Sequence, residues 1–147
     1  MTEMQRDRPI GETSGTGQRP ARQVSAPVLA FDLAQQLTSL KQESSWQRSD
    51  RNARTLVEES GFRLVLTALK AGAQLREHRA DGWVSIHGLE GHLRVQAGRH
   101  TTDLAPGHVV VLEPNLAHSV EAVEEGAFLL SLALRAGEGG TGQERAS

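Results

Sequence analysis

The stretch LREHRADGWVSIHGLEGHLRVQAG, residues 75–98, decides how the chain is read. Two runs within it, GWVSIHGLE and HLRVQA, mix apolar and polar residues in near alternation and flank Gly91. Alternation with a period of two marks strands with one buried face, and a glycine between two such runs marks a tight turn. The stretch opens with His78. Two places on stands Ala80, and the next position where a carboxylate would matter is Val84. Either this β-wall carries a metal site, or it carries what remains of one.

Working outward, the same pattern recurs. ARTLVEES, FRLVLTALK, AQLREH, RHTTDL, HVVVLE, HSVEAV and AFLLSLAL are short runs broken by Gly, Pro or Asn. About nine short strands at such close spacing point to an all-β barrel or sandwich rather than to βαβ units. Before them, FDLAQQLTSLKQESSW sets Phe31, Leu33, Leu37 and Leu40 at roughly helical spacing, with Asp32 as a start cap. That predicts one short amphipathic helix, packed outside the strands or used between two copies. Residues 1–27 and 136–147 are polar and rich in Gly, Ser and Thr. Such segments bury too little apolar surface to offset the entropy of ordering, so disordered ends are expected around a domain at 28–135.

Composition excludes several classes. There is no cysteine, so disulfides, thiolate metal sites and cysteine nucleophiles are out. A reducing cytoplasm is compatible with this. Sixteen basic residues against eighteen acidic ones leave no electrostatic footprint for nucleic acid. No apolar run reaches the roughly 20 residues of a membrane span. With two tryptophans, three phenylalanines and no tyrosine, the core is built from Leu, Val, Ala and Ile.

Two motifs in order carry a family likeness. Gly72 and His78 keep the interval that opens the first cupin motif, and GLEGHLRV resembles the strand-turn-strand that closes it. APGHVVVLEPNLAHSVEA resembles the second motif, with a turn at Pro106–Gly107, another at Pro114, and His118 in the histidine position. The chain therefore resembles a small single-domain cupin, a double-stranded β-helix barrel, over roughly residues 53–134. The chain departs from the family pattern at the ligand positions. Ala80 replaces the second histidine and Val84 the glutamate, His108 stands where the turn aspartate is usual, and the terminal asparagine falls near Ala122. Of four ligands in a typical metal-binding cupin, the resemblance leaves His78 and His118.

A catalytic metal site usually takes about three protein ligands and an open position. His87 is the candidate third. If Val84 and Ile86 face inward, alternation turns His87 outward, and a one-residue slip reverses this. Both directions stay open here. His78 and His118 can equally be hydrogen-bonded core residues. His92, His100 and His108 read as turn residues. Arg76 and Arg94 read either as solvated or as lining a barrel mouth. Trp83 reads as a pocket wall, as an interface residue or as covered by the helix.

Three functional readings follow. The leading one is a barrel that binds or senses a small molecule, with a degenerate metal centre. Its handles are His78 and His118, and its apolar walls are Val84, Ile86, Val110 and Leu112. The second is a metal-dependent enzyme of dioxygenase or isomerase type, with His78, His87 and His118 holding one divalent Fe, Mn, Ni, Zn or Cu. A barrel with no metal is the alternative. The third is a dimerisation module, in which AFLLSLAL supplies a pairing face. A homodimer is expected, with no nucleic-acid or membrane partner.

Overall fold

The structure, a computed structural model, describes residues 26–134. The disorder expected at the two ends falls almost wholly outside those residues. Two helices, α1 (Leu33–Leu40) and α2 (Ser44–Arg48), precede nine strands. The strands are β1 (Arg51–Glu59), β2 (Phe62–Leu69), β3 (Gln74–His78), β4 (Gly82–Glu90) and β5 (Leu93–Ala97), followed by β6 (His100–Leu104), β7 (Val109–Leu112), β8 (His118–Ala122) and β9 (Gly126–Leu134). Every strand expected from alternation and turn residues is present.

The expected single helix is two. Asp32 caps α1, its carboxylate accepting from the Gln35 N–H at 3.1 Å. Helix α1 stops at Lys41 because Glu43 turns toward the sheet. Its carboxylate meets Arg54 and accepts from Asn52 Nδ2 at 2.9 Å, while the same Asn52 amide donates to the Leu40 carbonyl at 3.0 Å. That bond satisfies one of the carbonyls a helix leaves open at its end.

The strands form two antiparallel sheets, ordered β1-β2-β9-β4-β7 and β3-β8-β5-β6. Their facing sides enclose one core that includes Val65, Val84, Ile86, Val95, Val120 and Phe128. A second cluster lies on the outer side of the larger sheet, where Leu37, Leu40 and Trp46 of the helices cover Leu56, Leu66 and Ala127. Strands β2 and β9 are thus buried on both faces. This corrects the expectation that AFLLSLAL is a pairing face: β9 lies between β2 and β4, with Leu130 and Leu132 in the barrel core and Leu129 packed against the helix-side cluster.

Gly91 is required where it stands. Its φ of 71° is in the left-handed region, and a Cβ there would collide with the Glu125 carbonyl. The β4–β5 turn can therefore pack directly against the start of β9.

Candidate functional site

Strand β3 would bury the wrong residue if it alternated regularly. Leu75 pairs with Val120 of β8 and points into the core, so regular alternation would send Glu77 inward next. A register shift between Leu75 and His78 intervenes, and it is His78 that pairs with His118. One extra residue in a strand has this effect. Glu77 stays exposed.

The two imidazoles lie edge to face, with ring centroids 5.1 Å apart. His118 is only 2% exposed, and His78 is half-buried at the end of its strand. His118 Nδ1 lies 3.0 Å from the Leu116 carbonyl oxygen. That oxygen can only accept, so Nδ1 carries the hydrogen, and in the neutral ring Nε2 presents a lone pair. Nε2 is buried and has no hydrogen-bond partner among the described residues.

The pair sits at one end of the barrel. Residues 79–81 connect β3 to β4 there, and residues 113–117 connect β7 to β8. The two loops are tied together, since Arg79 donates to the Asn115 carbonyl and the Asn115 N–H to the Ala80 carbonyl, each at 2.8 Å. Asn115 takes a φ of 68°, a left-handed conformation that asparagine tolerates better than most residues.

Across the larger sheet at the same end, one register row runs Glu58, Arg63, Leu132, Val84, Leu112. A register shift between Thr55 and Val57 puts both Leu56 and Val57 in the helix-side cluster, which returns Glu58 to the inner face. Arg63 Nη2 donates to Glu58 at 2.8 Å. Arg51 at the start of β1 donates to the Gln74 carbonyl at the start of β3, so the two strands run side by side toward this end. The Glu58–Arg63 pair therefore lies on the inner face of the larger sheet, in the row of Val84 and Leu112. Sequence reasoning missed both residues. The available signal was one arginine in the set Arg63, Val65, Thr67, Leu69. It was masked because the opposite set, Phe62 to Ala68, is equally apolar.

The other expected residues sort by parity. Val84, Ile86 and Leu112 are buried in the barrel core, and Val110 packs against it half-buried. His87 is exposed, on the face of β4 opposite Ile86. The register Val84–Leu112, Ile86–Val110 fixes this direction, so His87 does not join His78 and His118. Among the described residues no three His, Asp or Glu side chains converge as a metal set. Arg94 pairs with Asp103 at 3.1 Å on the outer face and does not line the mouth. Arg76 and Trp83 are exposed, and Trp83 is neither a pocket wall nor under the helices. His92 lies 3.3 Å from Asp103, His100 is exposed at the start of β6, and His108 is exposed in the turn before β7. Asp103 is held below the usual aspartate range by the hydrogen bonds from Arg94 and then His92.

Residues 63–139, just over half of the chain, match the model of the AraC-like ligand binding domain. The chain belongs to that family. It is a small cupin domain. Solved structures repeat the fold of this cupin at low identity. A salicylate 1,2-dioxygenase variant from Pseudoaminobacter salicylatoxidans is 17% identical with a TM-score of 0.66, over 81% of this chain and 40% of that one. A conserved protein of unknown function from Streptococcus pyogenes is 18% identical with a TM-score of 0.62, over 82% and 99%. A cupin superfamily protein from Desulfitobacterium hafniense is 15% identical with a TM-score of 0.56, over 58% and 78%. At such identities the likeness concerns the fold alone. A comparison with curated proteins found no match.

Proposed function

We propose that this cupin domain binds a small organic molecule in the barrel end lined by His78, His118, Val84, Val110 and Leu112. The observation that carries the reading is the buried, unpartnered Nε2 of His118. A buried acceptor without a partner costs about 1–3 kcal/mol, and a ligand hydroxyl or N–H placed against it recovers that cost. The inner face of the larger sheet adds a Glu58–Arg63 pair in the row of Val84 and Leu112, which offers donors and an acceptor to a second polar group. The ligand this favours has an apolar body, a hydrogen-bond donor at one end and an acidic or polar group at the other.

A metal-dependent enzyme is the second reading, favoured by the same lone pair, since imidazole nitrogen suits Fe, Ni, Cu or Zn. The donor set does not fit a tight catalytic centre: two imidazoles fall short of about three protein ligands. A sensing role in a reducing cytoplasm completes the first reading, in keeping with a chain without cysteine. No helix among the described residues is long and apolar enough to cross a membrane. We also take the working form to be a homodimer, because among the described residues β7 ends its sheet without a further strand.

Thermal denaturation tests the choice. Salicylate, other hydroxy acids and simple sugars are added singly, and so are Zn²⁺, Ni²⁺, Mn²⁺, Fe²⁺ and Cu²⁺. A compound that binds the native state raises Tm by mass action. The reading expects a rise with an organic compound in the absence of metal, lost in His118→Leu. A rise with metal alone, lost in the same variant, would favour the enzyme instead.

A further inference from the structure

The row of the smaller sheet that holds the two imidazoles does not stop at them. His78 pairs with His118, His118 with Ala97 of β5, and Ala97 with His100 of β6. Residues paired across antiparallel strands share a face. Ala97 is buried in the barrel core, so His100 is on the inner face with His118. Thr102 shares that face, opposite the buried Val95. His100 and Thr102 are both exposed, whereas Ala97 and Val95 beside them are covered. The inner face of the smaller sheet therefore opens to solvent along β6.

Each neighbouring strand adds about 4.8 Å, so the Cα atoms of His118 and His100 lie about 10 Å apart. That span is too wide for one metal ion, in keeping with the lack of a three-residue metal set among the described residues. It suits a molecule the size of a substituted ring. The open face of β6 offers donors. An imidazole carries an N–H whether neutral or charged, and Thr102 adds a hydroxyl. Asp103, the one acidic residue of β6, lies on the other face and is engaged by Arg94 and His92. A carboxylate thus meets donors on this face of β6 and no competing anion, and partial exposure keeps its desolvation cost low. Arg63 on the larger sheet is already matched by Glu58 at 2.8 Å.

We propose that His100 is a specificity-determining residue of the site, and that the ligand is a hydroxy acid with its hydroxyl and carboxylate at opposite ends. The hydroxyl donates to His118 Nε2, the carboxylate accepts from the His100 imidazole, and the apolar body lies between them. The inference rests on the binding reading above. It adds the residue that reads the far end of the ligand, and the ligand class.

Isothermal titration of the full chain tests it with three probes. They are 4-hydroxybenzoate, salicylate (hydroxyl and carboxylate on adjacent carbons) and 4-methylphenol, which has the hydroxyl and no acid. The proposal expects 4-hydroxybenzoate to bind about 10-fold more tightly than either of the others. His100→Ala, at an exposed site, should weaken 4-hydroxybenzoate about 10-fold and 4-methylphenol by less than about twofold. His100→Arg, which keeps a donor for the acid, should retain 4-hydroxybenzoate binding, and His118→Leu should abolish binding of both phenols. An equal loss of both phenols in His100→Ala, or no loss of either, overturns the role of His100 and leaves the barrel reading standing. Salicylate binding as tightly as 4-hydroxybenzoate overturns the ligand class. So does a failure of all three to bind, while the wider thermal screen separately decides whether the barrel takes another compound.

Discussion

Two buried polar clusters lie on opposite sides of the larger sheet, and they are built differently. Outside, Arg54, Asn52 and Glu43 bind one another and the helices. Arg54 donates to Gln36 at 2.9 Å and Ser39 at 3.3 Å besides meeting Glu43, and only its Nε lacks a partner. Inside, among the described residues, His118 has one bond, and its Nε2 has no partner. A cluster whose members use nearly all their bonds on each other serves the fold. A buried group that keeps its one acceptor unused is poised for something from outside.

Breaking the outer cluster should cost most. Arg54→Ala empties a buried site and leaves the partly buried Glu43 without its cation, and the loss expected is about 3–4 kcal/mol in urea unfolding. A loss under about 1 kcal/mol would put this cluster on the same footing as a surface ion pair.

The apolar wall between the clusters comes next. Ile86 is fully buried, and Ile86→Ala should cost about 3 kcal/mol through lost contact and the cavity left behind. The same substitution at His87, on the next residue of the strand, should change stability by less than about 0.5 kcal/mol. That pair of measurements checks the parity on which the site depends.

The inner cluster should separate stability from binding. His118→Leu removes an unsatisfied nitrogen and one bond to Leu116, so stability should move by about 1 kcal/mol or less. Binding of any compound found in the thermal screen should vanish. A large destabilisation would make His118 a structural residue like Arg54.

The smallest effect is electrostatic. Burial pulls the Lys41 ammonium down, but hydrogen bonds from Lys41 to Glu90 at 3.0 Å and Glu125 at 3.2 Å outweigh it and raise its pKa above 10.5. A raised folded-state value means the stabilisation is fully present below 10.5 and is lost as pH climbs through the higher value. The pair is partly exposed, so the contribution is about 0.5 kcal/mol after screening. Stability curves of the wild type and Lys41→Met should differ near neutral pH and converge at strongly alkaline pH.

Much of the fold was legible because turn residues punctuate it. Gly91, Gly107 and Pro114 bound strands whose period of two is plain. The break between α1 and α2 was not legible, because it comes from Glu43 reaching Arg54, a contact with a strand that follows later. AFLLSLAL was misread as a free face because a strand covered on both sides looks like an exposed apolar run. At the site, His78 was reached only by resemblance. Alternation from Leu75 points to Glu77, and the bulge that corrects it leaves no local mark. His87 needed the register of β4 against β7. Arg63 and Glu58 were hidden for the same reason as β9, since a strand apolar on both faces does not say which face a lone charge shares.

The proton on His118 is the most direct test. Long-range nitrogen–proton NMR on labelled protein distinguishes the two imidazole tautomers. The account predicts a neutral ring protonated at Nδ1, with an unprotonated Nε2 whose resonance moves when a binding compound is added. A ring protonated at Nε2, or an Nε2 resonance that stays fixed at saturating ligand, would contradict it.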